Sequence, residues 1–175
     1  KEKSKLTKEE WREYTKTVWH IANTSDANHP AVFPVEIPRR LIKLFSFYDE
    51  TVLDPFGGIG TTAIASIDLG RRCICFEQNP DYATVIQNRC QDLLTGEDRV
   101  QVILGDSRNM ELLVENSVGL VITSPPYWNK ADYGKKPENL GNESVYPKFF
   151  NIIRPVFEEC FRVLKPGRKL CLVTA

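Results

Sequence analysis

The run Thr51-Val52-Leu53-Asp54-Pro55-Phe56-Gly57-Gly58-Ile59-Gly60-Thr61-Thr62 constrains the fold more than any other part of this chain. A short apolar strand enters a glycine-rich turn, and Ala63-Ile64-Ala65 reads as the first turns of a helix. Strand, glycine turn and helix make the first half of a nucleotide-cradling unit. Gly57, Gly58 and Gly60 let the backbone approach a ligand that a Cβ would exclude. Thr61 and Thr62 lie where a helix N-terminus exposes free N–H groups, an end that suits a carboxylate-bearing ligand. Dinucleotide enzymes and phosphate binders use similar turns, so this loop alone leaves the ligand open.

The next segment repeats the pattern. A second strand, Arg72-Cys73-Ile74-Cys75-Phe76, ends in Glu77, roughly 20 residues beyond the glycine turn, where an acid pairs with ribose hydroxyls. A helix from about Asp81 to Leu94 precedes a third strand, Val100 to Leu104, which runs into Gly105-Asp106-Ser107-Arg108-Asn109. Asp106 could accept from an adenine amino group; standing alone it would equally be a turn or helix cap. A fourth strand covers 118–122. A helix from about Tyr146 to Leu164 stops at Lys165-Pro166-Gly167, and a last strand covers Lys169 to Thr174. This alternation predicts an α/β fold, Rossmann-like and doubly wound, with a mainly parallel sheet. In such a sheet the strand ends bearing Asp54, Glu77 and Asp106 converge on one crevice.

The fourth strand leads into Thr123-Ser124-Pro125-Pro126-Tyr127-Trp128. Each proline fixes its own φ and restricts the residue before it, so the carbonyls of Ser124 and Pro125 are held in set directions before any ligand arrives. If the Ser124 hydroxyl and one of those carbonyls accept from an exocyclic amine, the nitrogen lone pair is drawn out of conjugation and becomes nucleophilic, with Tyr127 stacked on the ring. An ordinary Pro-Pro turn closing a strand would fit the same residues.

Taken together, the paired loops resemble those of amino-methylating, S-adenosylmethionine-dependent DNA methyltransferases, most closely the N4-cytosine-specific group. Asp54 to Gly60 is similar to that family's cofactor loop and Thr123 to Trp128 to its catalytic loop; adenine-N6 relatives usually carry Asp or Asn where Ser124 stands. His29 to Pro34, with Phe33 and a helix from Val35 to about Phe47, resembles the element that closes over the methionine moiety. Asp132-Tyr133-Gly134, Leu140-Gly141 and Arg162 to Gly167 match the segment after the catalytic loop. The resemblance implies a class I methyltransferase sheet lacking its last strands. It also implies catalytic Ser124, Pro125, Pro126 and Tyr127, and S-adenosylmethionine held by Phe33, Asp54, Phe56, Gly57, Gly58, Gly60, Thr61, Thr62, Glu77 and Asp106. A cytosine flipped from DNA is then methylated at N4, with no metal. The loop order is permuted relative to many relatives. Lys1 is no initiator and Met110 is the sole methionine, so the expectation is a piece of something longer, with target recognition supplied by a missing segment or partner.

Composition adds bounds. With 175 residues and 42% hydrophobic content, the chain can bury one substantial core. Residues 1–28 are expected to form a helix and linker, and 29–175 the methyltransferase domain. Residues 1–6 read as a frayed tail, and Thr7 to Glu10 as a capping box opening a helix through Trp11, Tyr14, Val18 and Trp19. The five cysteines, Cys73, Cys75, Cys90, Cys160 and Cys171, form no CxxC pair and fall in apolar patterns, which predicts buried thiols. No Pro-Cys dipeptide offers the nucleophile of a C5-cytosine enzyme. With no signal-like opening and no membrane-length run, a cytoplasmic protein is expected.

The 23 basic and 23 acidic residues cancel, so phosphate contacts must come from local clusters. Lys130, Lys135 and Lys136 rim the expected base pocket or serve as loop charges. Arg39, Arg40 and Lys43 read as a helix's solvated face, Arg71 and Arg72 as charges favoured at a helix C-terminus. His20 and His29 lie outside the catalytic loop. Three alternatives stay open: an adenine-N6 enzyme, a nucleotide-dependent oxidoreductase, and a non-catalytic DNA-binding half.

Overall fold

The computed structural model describes residues 2–22, 33–91, 99–126 and 145–174. Five strands, β1 (Thr51–Asp54), β2 (Arg72–Glu77), β3 (Val100–Leu104), β4 (Val118–Thr123) and β5 (Leu164–Leu172), form one sheet in the order β3-β2-β1-β4-β5. Every pairing is parallel. Among the described residues five α-helices accompany it: α1 (Lys8–Tyr14), α2 (Glu36–Phe45), α3 (Thr61–Asp68), α4 (Pro80–Gln91) and α5 (Tyr146–Val163). The chain winds outward from β1 to β3, then returns to place β4 on the other side of β1. The β1/β4 boundary is therefore the topological switch point, where open sheets of this kind hold ligands.

Central strands of such a sheet are apolar along their whole length because helices cover both faces. β4 is buried at all six positions. From Leu120 on, alternate residues feed opposite sides: Leu53 and Val121 pack with Val156, Cys160 and Val163 of α5, joined by Val118 ahead of the irregularity in the β4–β5 register, whereas Val52, Leu120 and Ile122 pack with Ile42 of α2 and Ala65 of α3. A third cluster joins Cys73 and Cys75 of β2 to Ile86 and Cys90 of α4. The five cysteines are all free, four of them buried, with Cys73 Sγ 3.6 Å from Cys75 Sγ. Among the described residues no helix is long and apolar enough to cross a membrane.

Several local expectations need correction. From residue 2 on, the expected frayed tail is docked: Glu2–Ser4 form a 3₁₀ turn, Tyr48 N donates to Ser4 Oγ at 2.7 Å, and the Lys3 ammonium sits over the Tyr48 ring. The capping box is present, but α1 ends at Tyr14, short of Val18 and Trp19. Arg40 is no solvated residue. It is 8% exposed, bonded to Glu36, with Tyr14 and Trp19 rings each about 5 Å from its guanidinium. Its neighbours Arg39 and Lys43 pair with Asp68 and Glu10.

Arg71 is 2% exposed and donates to Ser46 Oγ, Ser46 O and Leu69 O, tying the end of α2 to the α3–β2 turn. In that turn Gly70 has φ +69°, and a Cβ there would lie 2.4 Å from the Tyr48 ring. Lys165-Pro166-Gly167 ends α5 but does not precede the last strand. It lies within β5 as a bulge, since Val118 pairs with Leu164 and Leu120 with Lys169. The strand is at the sheet edge, where a proline breaks no ladder on its free side.

Candidate functional site

The site lies at the carboxyl ends of β1, β2 and β4 and is organised by one carboxylate. Asp54 closes β1 and is 2% exposed. Its Oδ2 accepts from Thr62 Oγ1 at 2.6 Å, and its Oδ1 accepts from Thr123 Oγ1 and Phe56 N, each at 3.1 Å. Thr62 is the second residue of α3, just beyond the glycine turn, and Thr123 ends β4 immediately before Ser124. A single buried side chain thus ties the glycine loop to the Ser-Pro-Pro turn across the switch point. Burial pushes the Asp54 carboxyl up to about 7; the three donors hold it lower than burial alone would.

The loop itself is shaped by close packing. A Cβ on Gly57 would meet Ile86 at 3.0 Å and Cys75 at 3.1 Å, and Gly57 N donates to Phe76 O at 2.8 Å, so the loop lies directly on β2. Gly60 caps α3 with φ +84°, a conformation that favours glycine. Glu77 accepts from Gly58 N and Asn79 N, both at 2.8 Å. Burial raises its pKa against the pull of those backbone bonds. The Gln78 backbone supports the carboxylate too, and since a carboxylate offers about four acceptor sites, room is left for a ligand hydroxyl. Thr61 is buried at the start of α3, and Pro125 is buried beside a half-buried Ser124 and Pro126.

Asp106 stands apart from this network. Its Oδ1 accepts from Arg108 N at 2.9 Å and its Oδ2 from Arg108 Nε at 2.8 Å, a turn of the kind the sequence allowed. Burial draws its pKa upward, but the Arg108 bonds outweigh it and hold the carboxyl below its ordinary value. Gly105 N donates to Glu77 O at 3.0 Å, which keeps this turn beside the end of β2. Phe56, half-buried, packs against Phe149 and Ile153, so the start of α5 flanks the glycine loop. Phe33 is half-buried ahead of α2. Tyr127, Trp128, Lys130, Lys135, Lys136 and His29 lie outside the described residues.

Two contributors escape sequence reasoning. Arg89, on α4, donates to the Ile59 carbonyl at 2.5 Å and steadies the tip of the glycine loop from 30 residues away. No local pattern marks it. Thr123 carries a weak signal, being the one hydroxyl at the end of an otherwise apolar strand. Among the described residues no group of three or more His, Cys, Asp and Glu side chains could hold a metal.

The crevice therefore combines bare glycine backbone, a helix N-terminus and clustered carboxylates, which suits a ligand with both cationic and hydroxyl groups. The structure of TrmN from Thermus thermophilus shares the fold, with TM-score 0.60 and 18% identity over 79% of this chain and 37% of its own. Type II methyltransferase M.BglI of Bacillus subtilis is 41% identical over 83 residues, 46% of this chain and 24% of that protein. M.MjaI of Methanocaldococcus jannaschii, also a type II methyltransferase, is 40% identical over 92 residues, 49% of this chain and 30% of its own length. The chain spans between a quarter and a third of the length of these two relatives. The family model for DNA methylases of the N6/N4 type matches residues 1–88 and 118–174, nearly the whole chain, and on that match, over the fold just described, the chain belongs to the N6/N4 DNA methylase family.

Proposed function

We propose that this chain carries the methyl-transfer centre of a DNA methyltransferase that uses S-adenosylmethionine and acts on the exocyclic N4 amine of cytosine. The observation that supports it is the Asp54 carboxylate, bonded at once to Thr62 of the glycine loop and Thr123 beside the Ser-Pro-Pro turn. A donor held by one loop and an acceptor held by the other would meet at adjacent strand ends. S-adenosylmethionine supplies, when bound, an electrophilic methyl group on a positively charged sulfur. Glu77 accepts from its ribose hydroxyls, Asp106 lies toward the adenine, and Gly57 to Thr62 hold the methionine end.

A target base inside a duplex cannot reach this crevice, so it is flipped out, at a cost of about a few kcal/mol recovered by contacts in the pocket. Tyr127 stacks on the base. Ser124 Oγ and the Pro125 carbonyl accept from the amine and aim its lone pair, so the acceleration comes mainly from positioning, helped by the acidic crevice. Serine is a poor base, and the released proton leaves to solvent. The serine in the turn favours cytosine over adenine. Target recognition comes from a further segment or partner.

Mass spectrometry of nucleosides after incubation with unmethylated DNA tests the reading: N4-methylcytosine is expected, and N6-methyladenine would move the assignment to the adenine group. Ser124→Ala and Tyr127→Ala should lose methylation with cofactor affinity retained, whereas Glu77→Ala should lose the affinity itself. Full turnover in Ser124→Ala would refute the catalytic assignment. Calorimetric binding of NAD in preference to S-adenosylmethionine would point instead to an oxidoreductase.

A further inference from the structure

We propose that the outward face of α1 is a docking surface for the backbone of DNA, with Trp11 as a stacking platform between two cations; this rests on the DNA reading above. α1 is charged in opposite senses on its two sides. Inward, Glu10 pairs with Lys43 of α2, Glu13 pairs with Lys16 and lies 3.8 Å from Arg40, and the Tyr14 ring faces the Arg40 guanidinium. The acidic groups on that side are thus held by partners within the protein.

The opposite stripe, at the i, i+3, i+4, i+7 spacing of one helix face, is Lys8, Trp11, Arg12 and Thr15, and all four are exposed. With Lys5, Leu6 and Thr7 they line a shallow open depression. Trp11 is 60% exposed and covers no core. Lys5 pairs with Glu2, but neither Lys8 nor Arg12 makes an ion pair among the described residues. Glu9, also exposed, stands three residues before Arg12 and flanks the stripe on that side, leaving Lys8 and Arg12 two cations against one exposed carboxylate on this stretch of helix. An aromatic plane flanked by unpaired cations is the combination that grips a phosphodiester strand, the cations meeting phosphates and the ring meeting a base or sugar. With no net charge over the chain, attraction of a polyanion must come from local faces such as this one.

The experiment is fluorescence anisotropy of a short labelled DNA duplex with the full chain across a salt series. Lys8→Ala with Arg12→Ala should weaken binding and flatten the slope of log K against log salt by about 1.8, which is about 0.9 for each phosphate that is no longer neutralised. Trp11→Ala should weaken binding about tenfold for a single-stranded probe, whose bases are free to stack on the ring, and little for the duplex, with the slope unchanged. Thermal unfolding of these exposed variants should match the parent. Wild-type binding with wild-type slope in the variants overturns the surface and leaves the functional reading standing. A parent chain that binds no duplex overturns the surface, and the nucleoside analysis above then decides the functional reading separately. Tighter, Trp11-dependent binding of an acidic polyglutamate peptide than of DNA would make the face a protein contact and overturn the proposal.

Discussion

Replacing Asp54 with asparagine should remove a pH dependence that this one residue imposes on stability. Its carboxyl titrates near 3.8 in ordinary surroundings and at about 7 in the folded protein, because burial penalises the charged form more than Thr62, Phe56 and Thr123 support it. Between those two values the folded chain holds a proton that the unfolded chain has released. Stability therefore falls as pH rises through the window and is level below and above it. A gap of about three pH units, at about 1.36 kcal/mol per unit, amounts to on the order of 4 kcal/mol. That is a large share of the roughly 5–15 kcal/mol that holds a domain together.

Asp54→Asn keeps the shape: its amide oxygen still accepts from Phe56 N and Thr123 Oγ1, and the Thr62 hydroxyl can rotate to accept from its amide NH2. Urea unfolding at intervals from pH 5 to pH 8 measures the difference between variant and parent. Glu77, raised like Asp54, and Glu10, Asp106 and Glu159, lowered, are common to both proteins and largely cancel in the subtraction. The variant should gain on the parent by about 2 kcal/mol between pH 5 and pH 7 and by little more beyond. Parallel stability profiles would refute the reasoning, since they would mean that Asp54 is charged throughout and well solvated.

Thr123→Val removes one donor from Asp54 at nearly constant volume and should cost about 1–3 kcal/mol, more at pH 8 than at pH 5, with Thr123→Ser restoring the loss; equal cost at both pH values would argue against the carboxylate bond. Arg71→Leu strands the Ser46 and Leu69 carbonyls and should cost about 3 kcal/mol, lowering the midpoint in calorimetry by about 6–12 °C; a shift under about 2 °C would show that the guanidinium is dispensable.

Elements with a strong periodic or punctuated signal were legible in the sequence. β1, the glycine turn and α3 were readable because an apolar strand, three glycines and two threonines leave few alternatives, and β4 because the run Val118 to Ile122, without a polar side chain, ends abruptly at Thr123. The parallel order followed from alternation alone. What sequence could not supply were contacts made by long side chains across elements. Arg40 and Arg71 look like surface cations because arginine usually is one; only tertiary placement shows one sandwiched between Tyr14 and Trp19 and the other feeding three acceptors. The same holds for Lys165-Pro166-Gly167. Proline and glycine do mark a break, but a parallel edge strand can absorb that break as a bulge, and whether it does depends on what the partner strand leaves free.

The site shows the same division at finer grain. Residue types at strand ends could be read directly, yet Asp54 and Asp106 look alike in sequence, each an acid just beyond an apolar strand. Their surroundings separate them. Asp54 is enclosed, and burial drives its carboxyl upward against the bonds from two loops, whereas Asp106 is less buried and the bonds of its own neighbour Arg108 hold it low. At neutral pH the first is poised near half ionisation and the second is fully charged. If a cationic ligand settles in this crevice it must release part of a proton from Asp54 on binding and none from Asp106. Its affinity should then climb between pH 6 and pH 8 through the residue that joins the two loops.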